Sequence, residues 1–217
     1  MNNTTQYAAR LEVAYPERLN RLTCFFRFFL IIPIAIILGL ILGQGADVTV
    51  VHKEAGDIVE KSRTTTGGIA SSLFVATALM IVFRQRYPRW WFDFFRELAR
   101  FAGRVVAYFA LLTDQYPSTV EQQSVSLDLD YPDAERDLNR WLPLVKWLLA
   151  IPHYFVLFFL HIAAFFAVIF AWFSILMTGR YPKGVFEFLV GVGRWDLRVG
   201  AYAFILVTDR YPPFSLR

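Results

Sequence analysis

Residues 141–177 read WLPLVKWLLAIPHYFVLFFLHIAAFFAVIFAWFSILM, 37 positions in which Lys146, His153 and His161 are the main interruptions of an apolar, aromatic run. As helix this stretch measures about 55 Å at about 1.5 Å per residue, against a hydrocarbon core of about 30 Å. It is too long for one upright crossing and slightly short for two. Two shorter runs, 23–43 and 68–83, are also apolar. The composition agrees: of 217 residues 56% are hydrophobic, 22 are Phe and 18% are charged, which places the chain in a membrane rather than among average soluble domains.

The second repeat of a pattern resolves the long run. Tyr-Pro occurs six times, as Tyr15-Pro16, Tyr87-Pro88, Tyr116-Pro117, then Tyr131-Pro132, Tyr181-Pro182, Tyr211-Pro212. Neighbours match in the same order: Leu19-Asn20-Arg21 with Leu138-Asn139-Arg140, Pro33 with Pro152, Arg100 and Arg104 with Arg194 and Arg198, Thr113-Asp114 with Thr208-Asp209. The chain therefore reads as two tandem repeats, 1–117 and 118–217. Pro33 to Tyr87 spans 54 positions and Pro152 to Tyr181 spans 29, so repeat 1 carries 25 extra residues, the polar stretch 43–67. Its counterpart in repeat 2 falls near His161-Ile162. Lipid leaves the backbone of a polar loop unsatisfied, so such a loop belongs at the tip of a hairpin and not within a spanning helix.

On that reasoning each repeat holds a transmembrane hairpin, with helices over 23–43, 67–85, 141–160 and 161–179. One long tilted helix in repeat 2 stays open as the alternative, because no Gly or Pro marks a turn near His161. Basic residues flank both hairpins: Arg18, Arg21 and Arg27 before the first and Arg84, Arg86 and Arg89 after it, then Arg136, Arg140 and Lys146 before the second and Arg180 and Lys183 after it. By the positive-inside rule these ends are cytoplasmic, and the insertion faces out. The first apolar run follows about twenty polar and charged residues and has no cleavage signal, so the N-terminus is expected to remain.

Each repeat opens on an alternating segment, 9–15 and 124–131, expected to form two β-strands paired with each other; an unpaired extended arm is the alternative. Each closes on a segment too charged to cross. Residues 88–112 carry Arg89, Asp93, Arg96, Glu97, Arg100 and Arg104 at helical spacing with Trp90, Trp91, Phe94 and Phe95 on the other side, an amphipathic interfacial helix. Residues 182–207 repeat it with a narrower polar stripe. The fold class is thus mainly α, integral to the membrane.

Four features together resemble a bacterial membrane family, domain of unknown function 4389. They are the strand ending in Tyr-Pro, the basic-flanked hairpin, Thr178-Gly179-Arg180-Tyr181-Pro182, and the pair Arg194 and Arg198 before Ala201-Tyr202 and Thr208-Asp209-Arg210-Tyr211-Pro212-Pro213-Phe214. The resemblance covers nearly the whole chain as two copies, repeat 2 more closely; repeat 1 departs from it at residues 83–86, in its insertion and at Ser118 in place of Pro213. It implies a bacterial cytoplasmic-membrane protein without an assigned activity; the basic flanks add the expectation of a multi-pass chain with both termini cytoplasmic.

No catalytic set, cofactor motif or metal-ligand spacing stands out. The single Cys24 cannot form a disulfide within the chain, and a net charge of +4 gathered at the ends of apolar runs points to topology rather than to nucleic acid. Asp114 and Asp209, each after Thr and before a Tyr-Pro, are expected to terminate the amphipathic helices. His153 and His161 are expected at opposite ends of one hairpin arm as hydrogen-bonded interfacial groups. Arg96, Arg100, Arg104, Arg194 and Arg198 form rows of like charge that need an anionic partner: Asp93 and Glu97, and Glu187 and Asp196, are expected to supply part of it, and lipid phosphate or an acidic subunit the remainder. The expected function is a non-enzymatic accessory, assembly or scaffold protein acting through anionic lipid, other membrane subunits or self-association. A small transporter or lipid carrier is the alternative.

Overall fold

The computed structural model describes residues 7–42, 47–51, 61–65, 69–119, 121 and 123–217 and is mainly helical. Strand β1 (Ala9–Val13) pairs antiparallel with β4 (Val125–Leu129), in a register that sets Leu11 against Leu127 and Arg10 against Asp128. Alternation puts Ala9 and Leu11 with Val125, Leu127 and Leu129 toward the helices and turns Arg10, Glu12, Ser126 and Asp128 outward. A second pair, β2 (Asp47–Val51) with β3 (Lys61–Thr65), lies in the repeat 1 insertion. The remainder of that insertion, with Lys53, Glu54, Asp57 and Glu60, lies outside the described residues, and so does its expected outward placement.

The apolar helices are α1 (Arg21–Leu42), α2 (Ile69–Arg84) and α5 (Ile151–Thr178). The hairpin expected in repeat 2 is absent, since α5 runs unbroken for 28 residues through His161. The physical reason is the one that kept the alternative open. Between Pro152 in the first turn and Gly179 at the end no residue interrupts the ladder, and Gly179 then takes the left-handed conformation (φ 72°) that closes it, its N–H donating to Ile175 O at 2.7 Å. Before it, Leu142–Leu144 forms a 3-10 turn and α4 (Lys146–Leu149) a single α turn.

Repeat 1 does not fold back on itself either. Ile31 and Ile34 of α1 pack on Phe101, Val105 and Tyr108 of α3 (Arg89–Phe109), near the C-terminal end of that helix. Leu42 and Ala70 flank Phe95 and Ala102 in its middle, and Ala78 and Ile81 join Tyr87 and Phe92 at its start. Helices α1 and α2 therefore follow one another along α3, as the two halves of α5 follow one another along α6 (Lys183–Gly200). The insertion interrupts a line.

The amphipathic helices start where proline presets an extended residue, Pro88 at ψ 127° and Pro182 at ψ 122°. They form the middle layer. A Cβ on Gly193 of α6 would come within 3.1 Å of Leu11 Cδ2, whereas Trp195, about 200° further round, reaches His153 of α5. Likewise Gly103 of α3 faces Leu127, and Phe101 and Val105 face α1. The order of layers is strand pair, then α3 with α6, then α5 with the α1–α2 line. Trp172 Nε1 donates to Cys24 O at 3.3 Å across this outer layer.

Candidate functional site

Two buried cations hold the two ends of the body. Arg27, 3% exposed, donates to Tyr108 O (2.9 Å), Thr113 O (2.7 Å) and the Asp114 carboxylate, with its guanidinium 4.3 Å above the Tyr108 ring. Lys146, fully buried, donates to Thr208 O (2.8 Å) and pairs with Asp209 at 2.7 Å, 5.2 Å from the Tyr202 ring. The second oxygen of each carboxylate accepts a backbone N–H, from Asn20 or Asn139. Asp114 and Asp209 are thus counter-ions to buried cations, not only the helix-end residues that sequence reading expects. A signal was present: Arg27 and Lys146 each stand six positions before the matched prolines Pro33 and Pro152.

The Tyr-Pro tyrosines tie the halves of the chain together crosswise. Tyr15 donates its hydroxyl to Tyr181 O and Tyr131 to Tyr87 O; Tyr87 in turn donates to Ile205 O (2.9 Å) and Tyr181 to Ala110 O (3.0 Å). Tyr116 and Tyr211 set their rings edge-on against Tyr108 and Tyr202, at 5.6 and 5.7 Å. Of the prolines, Pro117, Pro132 and Pro212 are buried, and Pro16, Pro88 and Pro182 half-buried.

The arginine rows lie against the strand pair. Arg100 Nε donates to Leu127 O at 2.8 Å and its two other nitrogens reach Glu97 and Asp128 (2.7 and 3.2 Å); Arg194 Nε donates to Leu11 O at 2.9 Å. Arg96 pairs with Asp93 and Glu97, and Arg104 donates to Ser118 O. Arg198, 7% exposed, donates to main-chain oxygens, those of Arg194, Ser215 and Arg217. Burial pulls its pKa below the ordinary value, and the charge of Arg194 pulls the same way. Beside it opens a cleft of about 330 Å³ whose lining includes Tyr7, Arg10, Arg194, Arg198, Arg210 and Arg217 with one acidic residue, Glu12. Asp128 and Asp130 neutralise Arg10. Among the described residues no Asp or Glu side chain pairs with the other four. The cleft carries a surplus of positive charge.

The opposite face is apolar. On α5 the side chains of Phe155, Phe159, Phe166, Phe170, Phe173 and Met177 are all more than half exposed and fall on one stripe, while His153, Leu157, Ala171 and Ile175 are buried on the other. Leu22, Phe29, Ile36 and Leu40 form the same kind of stripe on α1, and Val75, Leu79 and Phe83 on α2. His153 and His161 share one helix rather than standing at opposite ends of a hairpin arm. His153 Nδ1 accepts from Trp195 Nε1 at 3.0 Å and its ring stacks on Phe214; His161 Nε2 lies 2.8 Å from Asp196.

Residues 141–215 match the family described as a domain of unknown function (DUF4389). The match is a single one and covers about a third of the chain, within its C-terminal half. No curated protein and no solved structure matches. By length and composition, α1 and α5 are each long and apolar enough to cross a membrane.

Proposed function

We propose that this chain is a non-enzymatic accessory or scaffold protein of the bacterial cytoplasmic membrane, made of two tandem copies of the DUF4389 domain, that joins the lipid to an anionic partner. The observation that carries the reading is the division of its surface. Stripes of Phe, Leu and Ile from three helices cover one side, and the charged strand pair and the arginine cleft occupy the other. A surface of exposed aromatic side chains this extensive is unfavourable in water, at about 25 cal/mol per Å², and lipid is its natural cover. A cleft lined by five arginines, Arg198 among them buried and without an Asp or Glu side chain as partner, attracts phosphate or carboxylate.

The two-copy reading is supported by contacts that recur at matched residues: Arg27–Asp114 and Lys146–Asp209, Arg100 to Leu127 O and Arg194 to Leu11 O, Tyr87 to Ile205 O and Tyr181 to Ala110 O. In the last two pairs of contacts each copy serves the other. The termini and the strand pair are assigned to the cytoplasm, on the side of the basic residues.

Purification from native membranes in a mild detergent tests the reading. The parent chain should retain an anionic lipid or an acidic subunit, and Arg210→Ala with Arg217→Ala should lose it while folding normally, because among the described residues neither side chain has a hydrogen-bond partner. Identical associated components in parent and variant would remove the cleft from the proposal.

A further inference from the structure

Resting on that membrane reading, we infer that the outer layer lies in the plane of one leaflet, so that α5 runs along the membrane surface and its Phe-rich stripe inserts among acyl chains without crossing. The partner of this face is the lipid of the cytoplasmic leaflet, including its anionic headgroups.

The basic residues and the continuity of α5 lead there together. Arg136 and Arg140 precede α5, and Arg180 and Lys183 follow it; all four are exposed. Positive charge at both ends marks both ends as cytoplasmic. With a hairpin between them that is compatible with crossing, but α5 is one helix of 28 residues, about 42 Å long. A single helix with both ends on one side lies along the membrane. Arg18, Arg21, Arg84 and Arg86 place exposed positive charge at the two ends of the α1–α2 line in the same way. This ring of charge complements anionic headgroups at about 1 kcal/mol per residue. Trp90, Trp141 and Trp147, at least half exposed, suit the headgroup level.

The layers give an independent argument. Helix α6 covers α5 on the side away from the Phe stripe, and Asp196 reaches His161 in the middle portion of α5. Beyond α6, level with the same region, sits the strand pair with Arg10, Glu12 and Asp128 on its outer face. Were α5 to stand along the membrane normal, these charges would lie near mid-depth, facing hydrocarbon, at a cost of several kcal/mol each. Turned into the plane, the Phe stripe enters lipid to a depth of about 5–10 Å while the strand pair stays in water. The polar sequence between α1 and α2, of which strands β2 and β3 are described, agrees with the second arrangement. A polar segment that interrupts the α1–α2 line at its centre would be stranded in hydrocarbon in a spanning helix, and beside a surface helix it reaches water directly.

The test uses the full chain in bacterial membranes, with single cysteines replacing exposed residues at the two ends of α5, Ile151→Cys and Thr178→Cys; Cys24, 1% exposed, stays as the unreactive background. An impermeant maleimide should label both positions in inverted vesicles and neither in right-side-out ones. Labelling from opposite sides overturns the inference and leaves the membrane reading standing. A chain recovered wholly in the soluble fraction overturns both. Spin labels at Phe159→Cys, Phe166→Cys and Phe173→Cys should report one common depth from collisional quenching. A crossing helix would separate the first from the last by about 21 Å at about 1.5 Å per residue.

Discussion

At the scale of single residues the most consequential groups are the two buried cations. Removing one partner of such a pair leaves a desolvated charge behind, at about 3–5 kcal/mol. Asp114→Asn and Asp209→Asn should each lower the stability of the detergent-solubilised protein by about that amount, read as the midpoint of thermal unfolding. Arg136→Ala is the contrast, because its pair with Asp133 is exposed and 3.7 Å long, and its loss should cost well under 1 kcal/mol. A second residue-scale device is Gly191, where a Cβ would sit 2.8 Å from Leu216 O and 2.9 Å from Leu216 Cβ. Backbone stands in the way, so Gly191→Ala should displace residues 215–217 and expose Arg198 to proteolytic and solvent access. Limited proteolysis of the C-terminus would report it; an unchanged digestion pattern would mean that the close packing is dispensable.

At the scale of elements, an arginine fastens each amphipathic helix to a strand of the other half of the chain. Arg100→Ala and Arg194→Ala each delete a charged hydrogen bond to a strand carbonyl, at about 1.5–3 kcal/mol, whereas Arg96→Ala, whose carboxylate partners are themselves half exposed, should change stability by less than 1 kcal/mol. If all three variants unfold at the same denaturant concentration, the strand pair is not held by the helices as described. The equivalence of the α1–α2 line with α5 also has a test. Inserting residues 43–67 between His161 and Ile162 should be tolerated, since nature accepts the interruption at the matched place in repeat 1, whereas insertion at the buried Leu157 (5% exposed) should abolish accumulation of the protein in membranes.

For the whole molecule, division into one apolar and one charged side should govern behaviour toward lipid if the proposed function holds. Charge at the rim should decide lipid preference, and acyl insertion should decide attachment. Arg18→Gln, Arg21→Gln and Arg180→Gln together should therefore leave the protein membrane-bound in high salt but reduce its selection of anionic over neutral lipid by about 3 kcal/mol, at about 1 kcal/mol per charge. Native mass spectrometry of protein released from mixed-lipid nanodiscs would show the retained headgroups. Detachment of the triple variant by salt alone would mean that the Phe stripes do not enter lipid.

Periodicity and composition by themselves determined the elements: Leu11 and Val13 at period two became a strand, Pro88 and Pro182 opened amphipathic helices, and the apolar runs became helices. Those are local properties, carried by neighbours in sequence. Which elements lie side by side was decided only by tertiary packing. Nothing in residues 153–177 says whether His161 sits at a turn or inside a helix, because an apolar run without Gly or Pro is compatible with either until α6 packs against it. Nor does the arginine spacing reveal that Arg100 and Arg194 reach carbonyls in the other half of the chain, or that Asp114 and Asp209 meet Arg27 and Lys146 across 87 and 63 positions of sequence. Such pairings depend on long-range closure, and one-dimensional patterns record the groups but not their meeting.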